Sequence, residues 1–222
     1  MSLLLLWSVV AQAPIDEGTL VVRADTHEVA RETFRFTERG LGASAGWTLT
    51  ASIRWSDSTR SLVIAPLIQL SADTEPARLQ FEVSGGPTPL RILGQPGRGR
   101  FTIRFLSPKV ERARELAVEP PMVILDDSVF APFLIAARRV RGDAVPRVVS
   151  GLFVRAARRE RLDITDRGPE PTSLNHDSVT LRHVVVSGPV SGVVHLWLAT
   201  DGRLMKVEIP SRGLIAERLP SS

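Results

Sequence analysis

The chain has no cysteine and no tyrosine, only two lysines, and no apolar run of membrane-spanning length. Without cysteine there are no disulfides, no thiolate metal ligands, no cysteine nucleophile and no lipid on an N-terminal thiol. That absence suits a reducing or an oxidising compartment equally. Aromatic residues make up 5%, too few for a base-stacking platform. The lysines are Lys109 and Lys206, so the 28 basic residues are almost all arginine, spread along the chain among 24 acidic ones. The net charge of +4 and the pI of about 10.7 therefore do not gather into a nucleic-acid face, and no nucleic-acid partner is expected. The densest run, "VRAARRERLDITDR", alternates like a solvated strand face.

Of the 222 residues, 43% are hydrophobic and 23% charged, enough to bury a core without cross-links or metal. The N-terminus, "MSLLLLWSVVAQAPIDEG", has an apolar run from Leu3 to Val10 followed by small residues. Residues 1–13 read as a secretory signal peptide cut after Ala11 or Ala13. Pro14 disfavours the later cut, and no Lys or Arg precedes the apolar run. The alternative is a buried first strand. On the leader reading, residues 14–222 form one domain in the periplasm or outside the cell.

Period-two patterns recur after the leader. "TLVVRA" and "EVARETFRFTE" flank a turn at Asp25-Thr26-His27. In "WTLTASIRW", Trp47, Leu49, Ala51, Ile53 and Trp55 share one face, while Thr48, Thr50, Ser52 and Arg54 take the other. Pro66 in "SLVIAPLIQLSA" predicts an edge position or a bulge. Residues 109–122 look irregular, and "GPEPTSLNHD", 168–177, reads as a loop. Asp201-Gly202 is a two-residue hairpin signal. The sum is roughly eleven strands, mainly antiparallel.

"ILDDSVFAPFLIAARRV", residues 124–140, breaks the pattern. Val129, Phe130, Phe133, Leu134 and Ala137 make one helical stripe, which predicts a helix over 128–140. Asp126 or Asp127 is the expected N-cap, and Arg138, Arg139 and Arg141 suit the C-terminal end. A lone apolar helix and a sheet with one apolar face must bury each other, so the expected fold is mainly β: an antiparallel partial barrel around a single helix.

The stretches "GTLVVRADTHEVARETFRF", "LDDSVFAPFLIAA" and "LWLATDGRLMKVEIPSRGLIAERL", about a quarter of the chain, resemble in layout the lipoprotein-carrier superfamily (the LolA/LolB-like half-barrels) and similar secreted families of unknown function. The resemblance implies an acyl chain held between helix and sheet. It does not extend to an acylated cysteine, since none is present.

Catalytic motifs are weak. His183 and His195 fall on neighbouring strands, and His176-Asp177 lies just before them, but no HxH or HExxH fixes a zinc geometry. Asp126-Asp127 with Glu119 reads as capping and turn chemistry rather than an acid–base pair. Ser128 lacks the flanking glycines of a nucleophile elbow. "GQPGRGR" lacks the lysine and helix of a phosphate loop, so it reads as a turn. The expectation is therefore a non-enzymatic protein without cofactor or metal, with a lipid or other apolar ligand as partner. Trp47, Trp55, Phe101, Phe105, Phe130, Phe133, Leu134 and Trp197 are the expected contacts, lining a cavity or, alternatively, filling a dry core. A second reading is an envelope module meeting a protein partner or a membrane surface peripherally, through sheet edges or the arginines of 155–161. A hydrolase using His183, His195 or Asp127 is the third.

Overall fold

A computed structural model describes residues 13–40, 45–56, 61–140 and 146–220. Apart from Ala13, the expected leader lies outside them, as does Arg141. The first half runs β1 (Asp16–Ala24), β2 (His27–Arg39), β3 (Gly46–Ser56), β4 (Ser61–Ser71), β5 (Pro76–Ser84), β6 (Leu90–Gly97), β7 (Arg100–Leu106), β8 (Glu111–Ala117) and β9 (Met122–Leu125). A short helix α1 (Phe133–Ala137) precedes β10 (Arg147–Phe153), β11 (Arg158–Leu174), β12 (Asp177–Gly188), β13 (Gly192–Leu198), β14 (Leu204–Ile209), a 3-10 turn (Pro210–Arg212) and β15 (Leu214–Arg218).

The described residues form one open sheet in the order β8-β7-β6-β5-β4-β3-β2-β1-β15-β14-β13-β12-β11-β10-β9. Fifteen strands replace the roughly eleven expected. The additions include β8, which is exposed except at the half-buried Leu116, and β9, which is buried on both faces, so neither has a two-residue rhythm to read. Every pair is antiparallel except β9–β10. First and last strands meet at the centre, where β1 pairs β15 from Leu20↔Arg218 to Ala24↔Leu214.

Alternation puts one face of each strand into a common core. In β3, Leu49 and Ile53 are wholly buried beside Ala51, as expected. Pro66 departs from expectation: β4 lies inside the sheet, between β3 and β5. Pairing to β3 lapses between Thr50↔Leu67 and Ile53↔Ile64, the stretch holding Pro66, and the ladder resumes in register beyond it. The segment 168–177 is also no loop. It forms the distal part of β11, paired to β12 out to Leu174↔Asp177, with a turn at Asn175-His176 where both residues take positive φ. Among the described residues the pairing of β11 with β10 stops at Ile164, short of Pro169 and Pro171.

The helix spans 133–137, not 128–140, and all five residues are buried. Its N-cap is Pro132, with no side-chain cap. Asp126 instead accepts the Ser128 N–H and pairs with Arg155 at 2.7 Å, while Arg139 turns inward to Glu75 at 2.8 Å and to the carbonyls of Thr74 and Met122. The one-sided stripe is thus buried all round, because segment 122–140 threads through the core. Elements from both halves of the sheet hold it: Glu32 of β2, Trp55 of β3, Glu75 before β5, Arg155 after β10 and Arg182 of β12. We refer to this segment as the plug.

Packing around the plug leaves little slack. A Cβ on Gly94 of β6 would fall 2.6 Å from Phe101 Cε1 and 2.7 Å from Leu79 Cγ. Gly94→Ala is expected to cost about 1–3 kcal/mol through overpacking, read as a lower urea midpoint. An unchanged midpoint would mean that these side chains have room to move.

Candidate functional site

Two places among the described residues bring side chains singled out in the sequence into definite geometry. The first is a hollow of about 630 Å³ on the rim beside the plug. Ala24, Val29, Trp55, Leu62, Pro87 and Leu214 give it apolar walls, and Ser128 of the plug and Arg212 add polar groups. Local sequence positions these residues. Trp55 closes the apolar alternation of β3, and its indole N–H donates to the Ser128 carbonyl at 2.9 Å. Its ring meets Phe130 with centroids 6.2 Å apart. Arg212, in the 3-10 turn, donates to the Asp127 carbonyl. The hollow thus opens against the backbone that anchors the plug.

Beneath that anchor lies Glu32, fully buried on the apolar face of β2. Its two oxygens accept the N–H groups of Phe130 at 2.8 Å and Ala131 at 3.0 Å. Burial pushes its carboxyl up to about 7, with a further push from nearby Asp126, against the opposing pull of the two amide bonds. Other buried carboxylates hold chain turns similarly. Glu160 accepts from Val190 and Ser191, Asp166 from Gly168, and Asp16 from Leu204.

The second place is on the outer face of the sheet. His183 Nδ1 lies 2.6 Å from Glu170 Oε2, and its Nε2 lies 2.9 Å from His195 Nδ1. Trp197 stacks parallel to His183 at 4.7 Å, and Lys206 Nζ sits 4.9 Å from the indole centroid. Burial, then the neighbouring His183, hold His195 below the usual imidazole range, against the pull of Glu208 and Glu170. His176 stays exposed in its turn, and no group of three or more metal-binding side chains occurs among the described residues. Ser128 has its carbonyl, not its hydroxyl, engaged by Trp55.

The eight expected contact residues are divided among four settings. Phe101, Phe105, Phe130, Phe133 and Leu134 belong to the common core and are nearly inaccessible. Trp55 faces the rim hollow, whereas Trp47 is half-buried and stacks on Phe36 at 5.8 Å. Trp197 belongs to the outer-face stack, since Leu196 and Leu198 take the core side of β13. The structure therefore joins Trp55 to Phe130 but does not gather all eight in one site. The sequence reading overlooked Glu32, Glu170 and Arg212. For Glu32 the signal was present: it shares the parity of Ala30, Phe34 and Phe36, an acid on an apolar face. Glu170 lay in a segment read as loop. Comparison with protein-family models, curated proteins and solved structures finds no match to this chain.

Proposed function

We propose that this is a non-enzymatic, exported protein that takes an apolar or amphiphilic ligand at the rim hollow between β3 and the plug. The sheet acts as a partial barrel around the plug, in the manner of the half-barrel carriers it resembles. The supporting observation is the hollow itself: apolar walls of about 630 Å³, closed on one side by Ser128 of the plug. The core aromatics then support the wall rather than touch the ligand, and Trp55 is the contact. Lauric acid and dodecanol, titrated against a Trp7→Phe/Trp47→Phe/Trp197→Phe variant, report on Trp55 alone. A saturable blue shift, weakened at least about tenfold by Leu62→Glu, is expected. No saturable change with either probe would exclude the ligand reading.

The second reading, an envelope interaction module, draws on β8. This edge strand is exposed from Glu111 to Glu115 and carries Glu111, Arg112, Arg114 and Glu115. Binding that weakens steeply with salt and ignores Leu62→Glu would favour it.

A further inference from the structure

Among the described residues the rim hollow has one ionisable side chain on its walls, Arg212; the rest of its lining is apolar, hydroxyl-bearing or glycine. The 3-10 turn Pro210–Arg212 places that arginine, and Gly213 closes the turn with a φ of +60°. The guanidinium donates to the Asp127 carbonyl, next to Ser128 in the chain. That carbonyl is neutral and engages one end of a five-donor fork. The Asp127 carboxylate is not its partner, since it pairs with Arg158 at 3.3 Å. No carboxylate among the described residues pairs with Arg212. Other exposed arginines are matched: Arg91 with Glu82, Arg100 with Glu115 and Arg104 with Glu111, at 2.6, 2.7 and 2.5 Å. The Ser128 hydroxyl is also unengaged among the described residues. Its carbonyl accepts from Trp55 and its N–H donates to Asp126.

The wall opposite is bare backbone. Gly85 takes a φ of +82°, and a Cβ on it would fall 1.8 Å from the Ser61 carbonyl oxygen. Gly86 has space beside it, where a Cβ would meet Leu62 Cδ1 at 3.9 Å. A volume of about 630 Å³ suits one small ligand. Apolar walls call for an alkyl chain, and an uncompensated cation at their edge calls for a negative head. A carboxylate offers two oxygens to two parallel N–H groups of a guanidinium, which an alcohol cannot do and an ammonium opposes.

On the footing that the rim hollow holds the ligand, we propose that this ligand is a single-chain anionic amphiphile, a fatty acid carboxylate, whose head is held by Arg212 and Ser128 while its chain lies on Leu62 and Leu214. Arg212 then selects the head group, and the apolar walls supply affinity common to any alkyl chain.

Laurate, dodecanol and dodecylammonium, each below micelle formation, test this by titration of the variant that reports on Trp55 alone, at low salt and about pH 8. Laurate should bind at least about tenfold more tightly than dodecanol, and dodecylammonium more weakly than either. Arg212→Leu should erase the preference for laurate, and Arg212→Lys should keep part of it. Gly86→Leu, which fills the hollow, should weaken laurate and dodecanol alike. Equal binding of laurate and dodecanol to the parent would overturn the head-group assignment and leave the ligand site standing, whereas no binding of either would overturn both. An equal loss of the two probes in Arg212→Leu would mean that Arg212 only braces the plug through Asp127, and would overturn the proposal. So would laurate binding untouched by Gly86→Leu, which would put the head on the surface outside the hollow. Should Arg212→Leu fail to fold, the order of the three probes on the parent decides the matter.

Discussion

Replacing Glu32 by glutamine is expected to raise stability relative to the parent by up to about 3 kcal/mol between about pH 5 and about pH 8. The reason is the carboxyl's environment. Burial lifts it from 4.5 to about 7, so the folded chain binds a proton over a range in which the unfolded chain has released it. Stability from this group is therefore complete below 4.5 and is lost as pH rises through 7. Glutamine stays neutral, so the pH-dependent loss disappears, but it accepts through one oxygen only and leaves one of the two backbone N–H groups without its partner at every pH. Glu32→Ala behaves differently. It orphans the amides of Phe130 and Ala131 in the core and should cost about 2–4 kcal/mol at about pH 5, a deficit that narrows as pH rises because alanine does not titrate either. Urea unfolding of the three proteins across this range separates the effects. A glutamine variant weaker than the parent by the same amount at both ends would mean that the two amide bonds outweigh burial and keep Glu32 ionised.

Much of the sheet was legible in the sequence because most of its strands have one wet and one dry face. β3 is the clearest case: nine residues of strict alternation gave the strand and its buried face together. Where that contrast fails, the sequence is silent. β8 is wet on both sides, and β9 is dry on both. The plug has helical spacing but spends most of its length as extended or turning chain, because Glu32, Trp55 and Arg155 satisfy its backbone or carboxylates in place of helical bonds. Its apolar stripe recorded burial correctly and helix length poorly. The segment 168–177 was misread for a related reason. Proline argues against a strand where both edges are paired, and here the described pairing on one edge stops at Ile164. The rim hollow depends on residues from β1, β2, β3, β4 and the 3-10 turn, a convergence set by sheet curvature that no local pattern encodes. The histidine pair lies between these extremes: its cross-strand placement was readable, but the carboxylate that orders it was not.

The second large effect is expected at the seam where the chain's two ends meet. Arg218 and Asp16 are 4% and 2% exposed, and their side chains pair at 2.7 Å. The guanidinium also donates to the carbonyls of Leu204 and Glu17, while Asp16 accepts the Leu204 N–H at 2.8 Å. One ion pair thereby joins β1, β14 and β15. Gly18 makes this possible, since a Cβ there would sit 2.7 Å from the guanidinium. Arg218→Leu should cost about 3–5 kcal/mol, because it leaves Asp16 charged and buried without a counterion. Adding Asp16→Leu should restore a large part of that loss, since the stranded charge is what costs most. If the double variant were as unstable as the sum of the two single ones, the carbonyl and amide bonds to Leu204 and Glu17 would carry the seam. In either case the sheet would fail first at β1–β15, the central junction where β1–β8 join the strands from β15 to β9, so amides of β1 and β15 should lose exchange protection before those of β3 and β4.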